Sequence, residues 1–176
     1  MAELGEKDRL LKSISKVIGS NLRPGETLVN IDVGQRKTAG EAVQGAAETY
    51  RKTAKKQFVA GLLGGHMARR AVTNASRDEY SEAAGFSGMF AVLLTDTSLY
   101  LVPITPSGMK YAQRDDEPAR ILAMEGLRVD AGEISETTSA PGATARTLNA
   151  TFTPAGGEPV TLNLYDVDLW RSLAGR

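Results

Sequence analysis

MFAVLLTDTSLYLVPI, residues 89–104, is two apolar runs around a polar hinge. Met89 to Leu94 and Leu99 to Ile104 are each of strand length, and Thr95-Asp96-Thr97-Ser98 between them is a connection of hairpin length. Working outward from this hairpin, the rest of the C-terminal half follows the same logic of short apolar segments and polar turns. Ala119 to Met124, Leu127 to Ala131, Thr144 to Thr153 and Pro159 to Leu164 read as further strands. Pro154-Ala155-Gly156-Gly157-Glu158 supplies a second hairpin turn, while Glu133 to Gly142, rich in Ser, Thr, Gly and Pro, reads as a mobile loop. Asp166 to Leu173 is helix-like, with Asp166 or Asp168 as N-cap and Leu169, Trp170 and Leu173 as its apolar side.

Upstream of the hairpin, Leu10, Leu11, Ile14, Val17 and Ile18 recur at helical spacing and predict an amphipathic helix within residues 1–22. Arg23-Pro24-Gly25 stops it. Proline presets φ and glycine accepts a positive φ, the requirements of positions i+1 and i+2 in a type II turn. Glu26 to Val33 then reads as the first strand, with Val29, Ile31 and Val33 on one side.

Between this strand and the hairpin lies a segment of different character. Residues 36–77 hold nine Lys/Arg against two Asp/Glu, a balance of +7, whereas residues 78–176 hold seven against fourteen, a balance of −7. The first 35 residues balance at five each, so the chain is neutral overall. Placed at helical intervals, Val43, Ala47, Tyr50, Ala54 and Phe58 fall within about 80° of arc, with Arg51, Lys52, Lys55 and Lys56 displaced from it. This predicts an amphipathic helix with a basic face. Gly61, Gly64 and Gly65, each costing about 1 kcal/mol relative to Ala, predict a break before a second short helix from Met67 to Val72.

Composition narrows the chemistry. The 176 residues suit one domain with an elaboration, and 41% hydrophobic with 24% charged residues is the balance of a water-soluble globular chain. With no cysteine there are no disulfides, thiolate ligands or thiol nucleophiles. His66 is the one histidine, so a Ser-His-Asp arrangement would have to use it, and it has no acidic sequence neighbour. Gly85-Phe86-Ser87-Gly88-Met89 lacks the final glycine of a nucleophile elbow, and no phosphate-cradling glycine motif is present. Asp166 and Asp168 read as helix-capping acids and Asp115-Asp116-Glu117 as a solvated acidic turn, rather than as metal ligands. The charged, periodic N-terminus lacks a secretory h-region and makes a cytoplasmic location the default. The Phe58–Ala68 run is too short to span a bilayer.

The turn-and-strand Arg23-Pro24-Gly25-Glu26-Thr27-Leu28, the hairpin Ala91–Val102, the pair Arg120–Asp130 and the segment Asn149–Leu164 together resemble the pleckstrin-homology-like (PH-like) fold, in its bacterial and GRAM-type versions. The resemblance implies an α+β chain: an antiparallel β-barrel of about seven strands with a C-terminal helix, whose Trp170 plugs the open end. The expected organisation is an N-terminal helix over 1–22 and a PH-like domain over 23–176, carrying a basic helical insertion at 36–84. The family's lipid readers are similar to one another in using basic residues of the first hairpin loop, and here the long insertion replaces that loop. The resemblance therefore implies recognition without fixing a ligand.

The functional expectation is a non-enzymatic adaptor that associates with a protein partner or with itself, and it needs no cofactor. Arg51, Lys52, Lys55, Lys56, Arg69 and Arg70 are the candidate binding residues. The first alternative is peripheral docking on an anionic membrane surface through the same residues, and the second is an enzyme of uncharacterised type. Neutral charge and few interleaved aromatics argue against nucleic acid.

Overall fold

The computed structural model describes residues 2–36, 41, 44, 47–54, 88–107, 110–140 and 143–174. Helix α1 (Ala2–Asn21) precedes strand β1 (Leu28–Gln35), and helical backbone follows at 47–54 (α2). Seven strands come next: β2 (Met89–Thr95), β3 (Ser98–Ser107), β4 (Lys110–Gln113), β5 (Arg120–Ala123), β6 (Arg128–Ala140), β7 (Ala143–Thr153) and β8 (Val160–Leu164). Helix α3 (Val167–Leu173) closes the described chain.

The strands form one antiparallel sheet in the order β4-β3-β2-β1-β8-β7-β6, with β5 also on β3. It is open: among the described residues β6 pairs only with β7, and no ladder joins it to β4 or β5. The expected barrel of about seven strands is thus corrected to an eight-stranded open sheet. The gap is filled by side chains instead of backbone bonds, since Trp170 and Val167 of α3 and the partly buried Met124, Leu127 and Val129 pack into the inner cluster.

Two cores explain the sequence pattern. In β2 all seven residues are buried, because successive side chains serve opposite faces. Phe90, Val92 and Leu94 join Leu99, Leu101, Leu148, Phe152, Leu162 and Leu164 in an inner core, where Trp170 meets Phe152 edge-on with ring centroids 5.4 Å apart. Met89, Ala91 and Leu93 face the other way, onto Ile31, Val33, Tyr100, Val102, Ile104 and the Ile14 and Val17 stripe of α1. The N-terminal helix is therefore one wall of the outer core, and each such buried aliphatic contributes roughly 2 kcal/mol.

The turn chemistry matches expectation. Gly25 has φ 90°, and the Glu26 amide donates to the Arg23 carbonyl at 3.2 Å across Pro24-Gly25. The hairpin turn is held by Thr95 Oγ1, which donates to the Ser98 carbonyl at 3.0 Å and accepts from the Ser98 amide at 2.9 Å. Asp166 caps α3 by accepting from the Leu169 amide at 3.2 Å.

The two halves of the sheet meet at a narrow seam. β1 pairs with β8 only through Gly34–Leu164 and Gln35–Asn163. A Cβ on Gly34 would lie 3.0 Å from both Leu162 Cδ1 and Leu164 Cδ2 and 3.2 Å from Val92 Cγ2, so a side chain here would press on three core residues. Asp32 ties the seam to α3: its Oδ2 accepts from Trp170 Nε1 at 2.8 Å and from the Asp166 amide at 2.9 Å.

Two local expectations are corrected, and one strand was not expected. Val29 does not share the buried side of Ile31 and Val33. A register shift between Leu28 and Asn30 turns it outward, and it is 62% exposed. Glu133–Gly142 is not a loop: β6 runs through it to Ala140, and β7 starts at Ala143. The short β4, which pairs with the far end of β3, lies where the sequence offers no alternation to read.

Candidate interaction surface

The insertion leaves and re-enters the sheet at adjacent points. The Arg36 amide donates to the Gly88 carbonyl at 3.0 Å, so the chain ends on either side of the insertion meet across a backbone hydrogen bond. The Arg36 guanidinium lies 5.1 Å from the Phe90 ring centroid and pairs with Glu117 at 2.6 Å. Arg114 holds the other side of Glu117 at 3.2 Å and reaches Asp116 at 3.4 Å. The acidic turn is thus not freely solvated; two arginines tie it to the root of the insertion. A shallow cleft of about 220 Å³ opens beside this root, with Phe90 and Leu101 below and Arg36, Glu117, Arg120 and Glu158 around it.

Along the insertion, Gln44 Nε2 donates to Glu48 Oε1 at 3.1 Å, one helical turn apart, leading into α2. The apolar face read from the sequence is solvent-facing where it is described: Ala47 and Ala54 are exposed, and Tyr50 is 70% exposed. Thr49 and Thr53 are the half-buried positions instead. Arg51 and Lys52, the two residues after Tyr50, are exposed as well. Lys55, Lys56, Arg69 and Arg70 lie outside the described residues, as do Phe58, His66, the three glycines at 61, 64 and 65, and the Met67–Val72 segment.

Two carboxylates depart from the ordinary range, and both are engaged by the fold. Burial pushes Asp32 up to about 6, against the Asp166, Trp170 and Val33 N–H groups that favour its charged form. Glu26 is held down at about 2 by hydrogen bonds from Tyr100, Thr97 and Ser98, which strap the Arg23–Glu26 turn to the β2–β3 hairpin. Among the described residues no three His, Asp or Glu side chains are placed to hold a metal ion, and no helix is long and apolar enough to cross a membrane.

Sequence reasoning missed Arg36, Arg114 and Glu117 as the insertion's anchor. Only the position of Arg36, one residue past a strand end, hinted at it. Comparison with family models, with curated proteins and with solved structures gave no match to this chain.

Proposed function

We propose that the chain is a cytoplasmic, non-enzymatic recognition module of the PH-like type, which works by associating with protein, further copies of itself included. The PH-like reading is supported by the meander β1-β2-β3-β4, the return of β8 to β1, and a final helix whose tryptophan fills the space between the half-sheets. The associative reading rests on one observation: Tyr50 presents 70% of its surface to solvent on a helix whose Arg51 and Lys52 are exposed as well. An exposed aromatic on a helix that also carries exposed cations suits a protein surface that is acidic and partly apolar.

Peripheral docking on an anionic membrane is the rival use of the same residues. At the described positions the face beside Tyr50 is alanine at 47 and 54, so there adhesion falls to the cations at about 1 kcal/mol each. Light scattering over a range of concentrations, run beside sedimentation with phosphatidylcholine and phosphatidylserine vesicles, separates the two. The expected result is a mass above 18.7 kDa that grows with concentration, and equal recovery in the supernatant with both vesicles. A concentration-independent monomer that sediments with the phosphatidylserine vesicles, and stops doing so in R51E/K52E, would overturn the reading.

A further inference from the structure

The two ends of the sheet are finished differently. At one end β3 is covered by β4 and β5, each only four residues long, and α1 packs beside β4. Short edge strands offer little template for another chain. At the other end β6 runs for 13 residues, and among the described residues only one of its edges is paired.

Beyond the sheet, β6 and β7 continue as a two-stranded ribbon. β8 pairs with β7 only over Leu148–Phe152, whereas the β6–β7 ladder continues from Ile134–Leu148 to Ala140–Ala143. From Ser135 to Thr147 there is no Val, Ile, Leu, Met or aromatic residue, so the ribbon has no apolar face with which to stabilise itself. A lone two-stranded hairpin of this kind is marginal in water and gains most from a third strand. From 137 to 145 it also carries no charge. Two of the devices that protect an edge, lysines and in-strand prolines, are missing from the Ile134–Thr138 run, which lies between two register shifts and carries one charge, Glu136, paired with Arg146 at 2.9 Å.

We infer that β6 is a strand-addition surface and that its occupant is β6 of a second copy of this chain, giving one sheet continuous through a two-fold axis. Antiparallel pairing of a strand with itself is self-complementary under two-fold symmetry. Centred on Thr137, it sets Glu136 against Thr138 and Ser135 against Ser139, with no like charges opposed. Zero net charge removes the long-range repulsion that would keep two copies apart. This inference rests on the self-association in the proposed function and assigns that part of it to β6, leaving the Tyr50 helix for a different protein partner.

The test is sedimentation equilibrium of the whole chain, of T137K/T138K, and of R51E/K52E, with circular dichroism to confirm that each stays folded. Wild type and R51E/K52E are expected to approach twice 18.7 kDa as concentration rises, and T137K/T138K to lose the dimer. As a second readout, Thr137→Cys, in a chain with no cysteine of its own, is expected to give a covalent dimer on mild oxidation. A dimer that survives T137K/T138K and is lost in R51E/K52E would overturn the β6 assignment and leave the helix as the interface. A monomer at every concentration would overturn both.

Discussion

Every residue of β2 is buried, while in β7 and β8 apolar burial serves one face: Leu148, Ala150, Phe152, Leu162 and Leu164 point into the core, and Thr151 and Thr161 face outward with hydroxyls 2.9 Å apart. The first half of the sheet is sandwiched between α1 and the inner core. The second half has a polar outer side, where Asn149 donates to Asn163 at 3.3 Å and Thr147 is buried. The contrast shows a division of labour, with packing concentrated in β1–β3 and the open, polar edge at β6. A long strand can be left unprotected only where little else depends on it.

The comparison breaks first at the seam that holds the halves together. Trp170→Ala removes the largest side chain of the inner core and is expected to cost about 3–5 kcal/mol in urea unfolding. Trp170→Phe keeps most of the packing but withdraws a donor from Asp32, and is expected to cost about 1–3 kcal/mol. A loss below about 1 kcal/mol for the alanine variant would mean that α3 is not what joins the halves.

Ile14→Ala probes the layer that the second half lacks. It opens a cavity between α1 and β1–β3, and the expected loss is about 2–4 kcal/mol, within the usual range for a buried Ile. Unfolding of α1 at lower urea than the sheet, seen as two transitions by circular dichroism, would contradict a shared core.

Asp32 sharpens the account of the seam through pH. Its folded value of about 6 lies above the ordinary 3.8, so the folded state holds the proton more tightly than the unfolded one. The sign follows: this group's contribution is fully present below pH 4 and is lost as pH rises through 6, a difference of about 3 kcal/mol at neutral pH. Wild-type stability, measured by Trp170 fluorescence, should fall from pH 4 to 7 relative to Asp32→Asn, and parallel profiles would refute the assignment. Glu26 acts in the opposite sense, because its depressed value makes its contribution present above pH 4.5 and lost as pH falls toward 2.

The smallest effect belongs to the outer face of the second half. Thr151→Ala breaks the cross-strand pair with Thr161 and should cost no more than about 1 kcal/mol. A larger loss would show that this face carries packing of its own.

The same division governs what could be read from sequence. The β2–β3 hairpin, the Arg23–Glu26 turn, the α1 stripe and the Asp166 cap were legible because each is a local pattern: apolar run, Pro-Gly pair, helical period, capping acid. The distal half of β6 was misread as a loop because Ser135 to Ala140 has no apolar face and therefore no period of two. β4, at Lys110–Gln113, was missed for the same reason. Barrel closure was overestimated because it depends on pairing between distant edges, on which local motifs are silent. For the insertion, periodicity identified Ala47, Tyr50 and Ala54 as one face of a helix but could not say what covers it, and the structure leaves that face open.

Hydrogen exchange of the β6 backbone as a function of protein concentration tests the central claim most directly, since strand addition protects amides that the isolated chain leaves to solvent. The account predicts that exchange across Ile134–Thr138 slows as concentration rises, while the β2 amides, buried in either state, do not change. Exchange at Ile134–Thr138 that is the same at every concentration would contradict it.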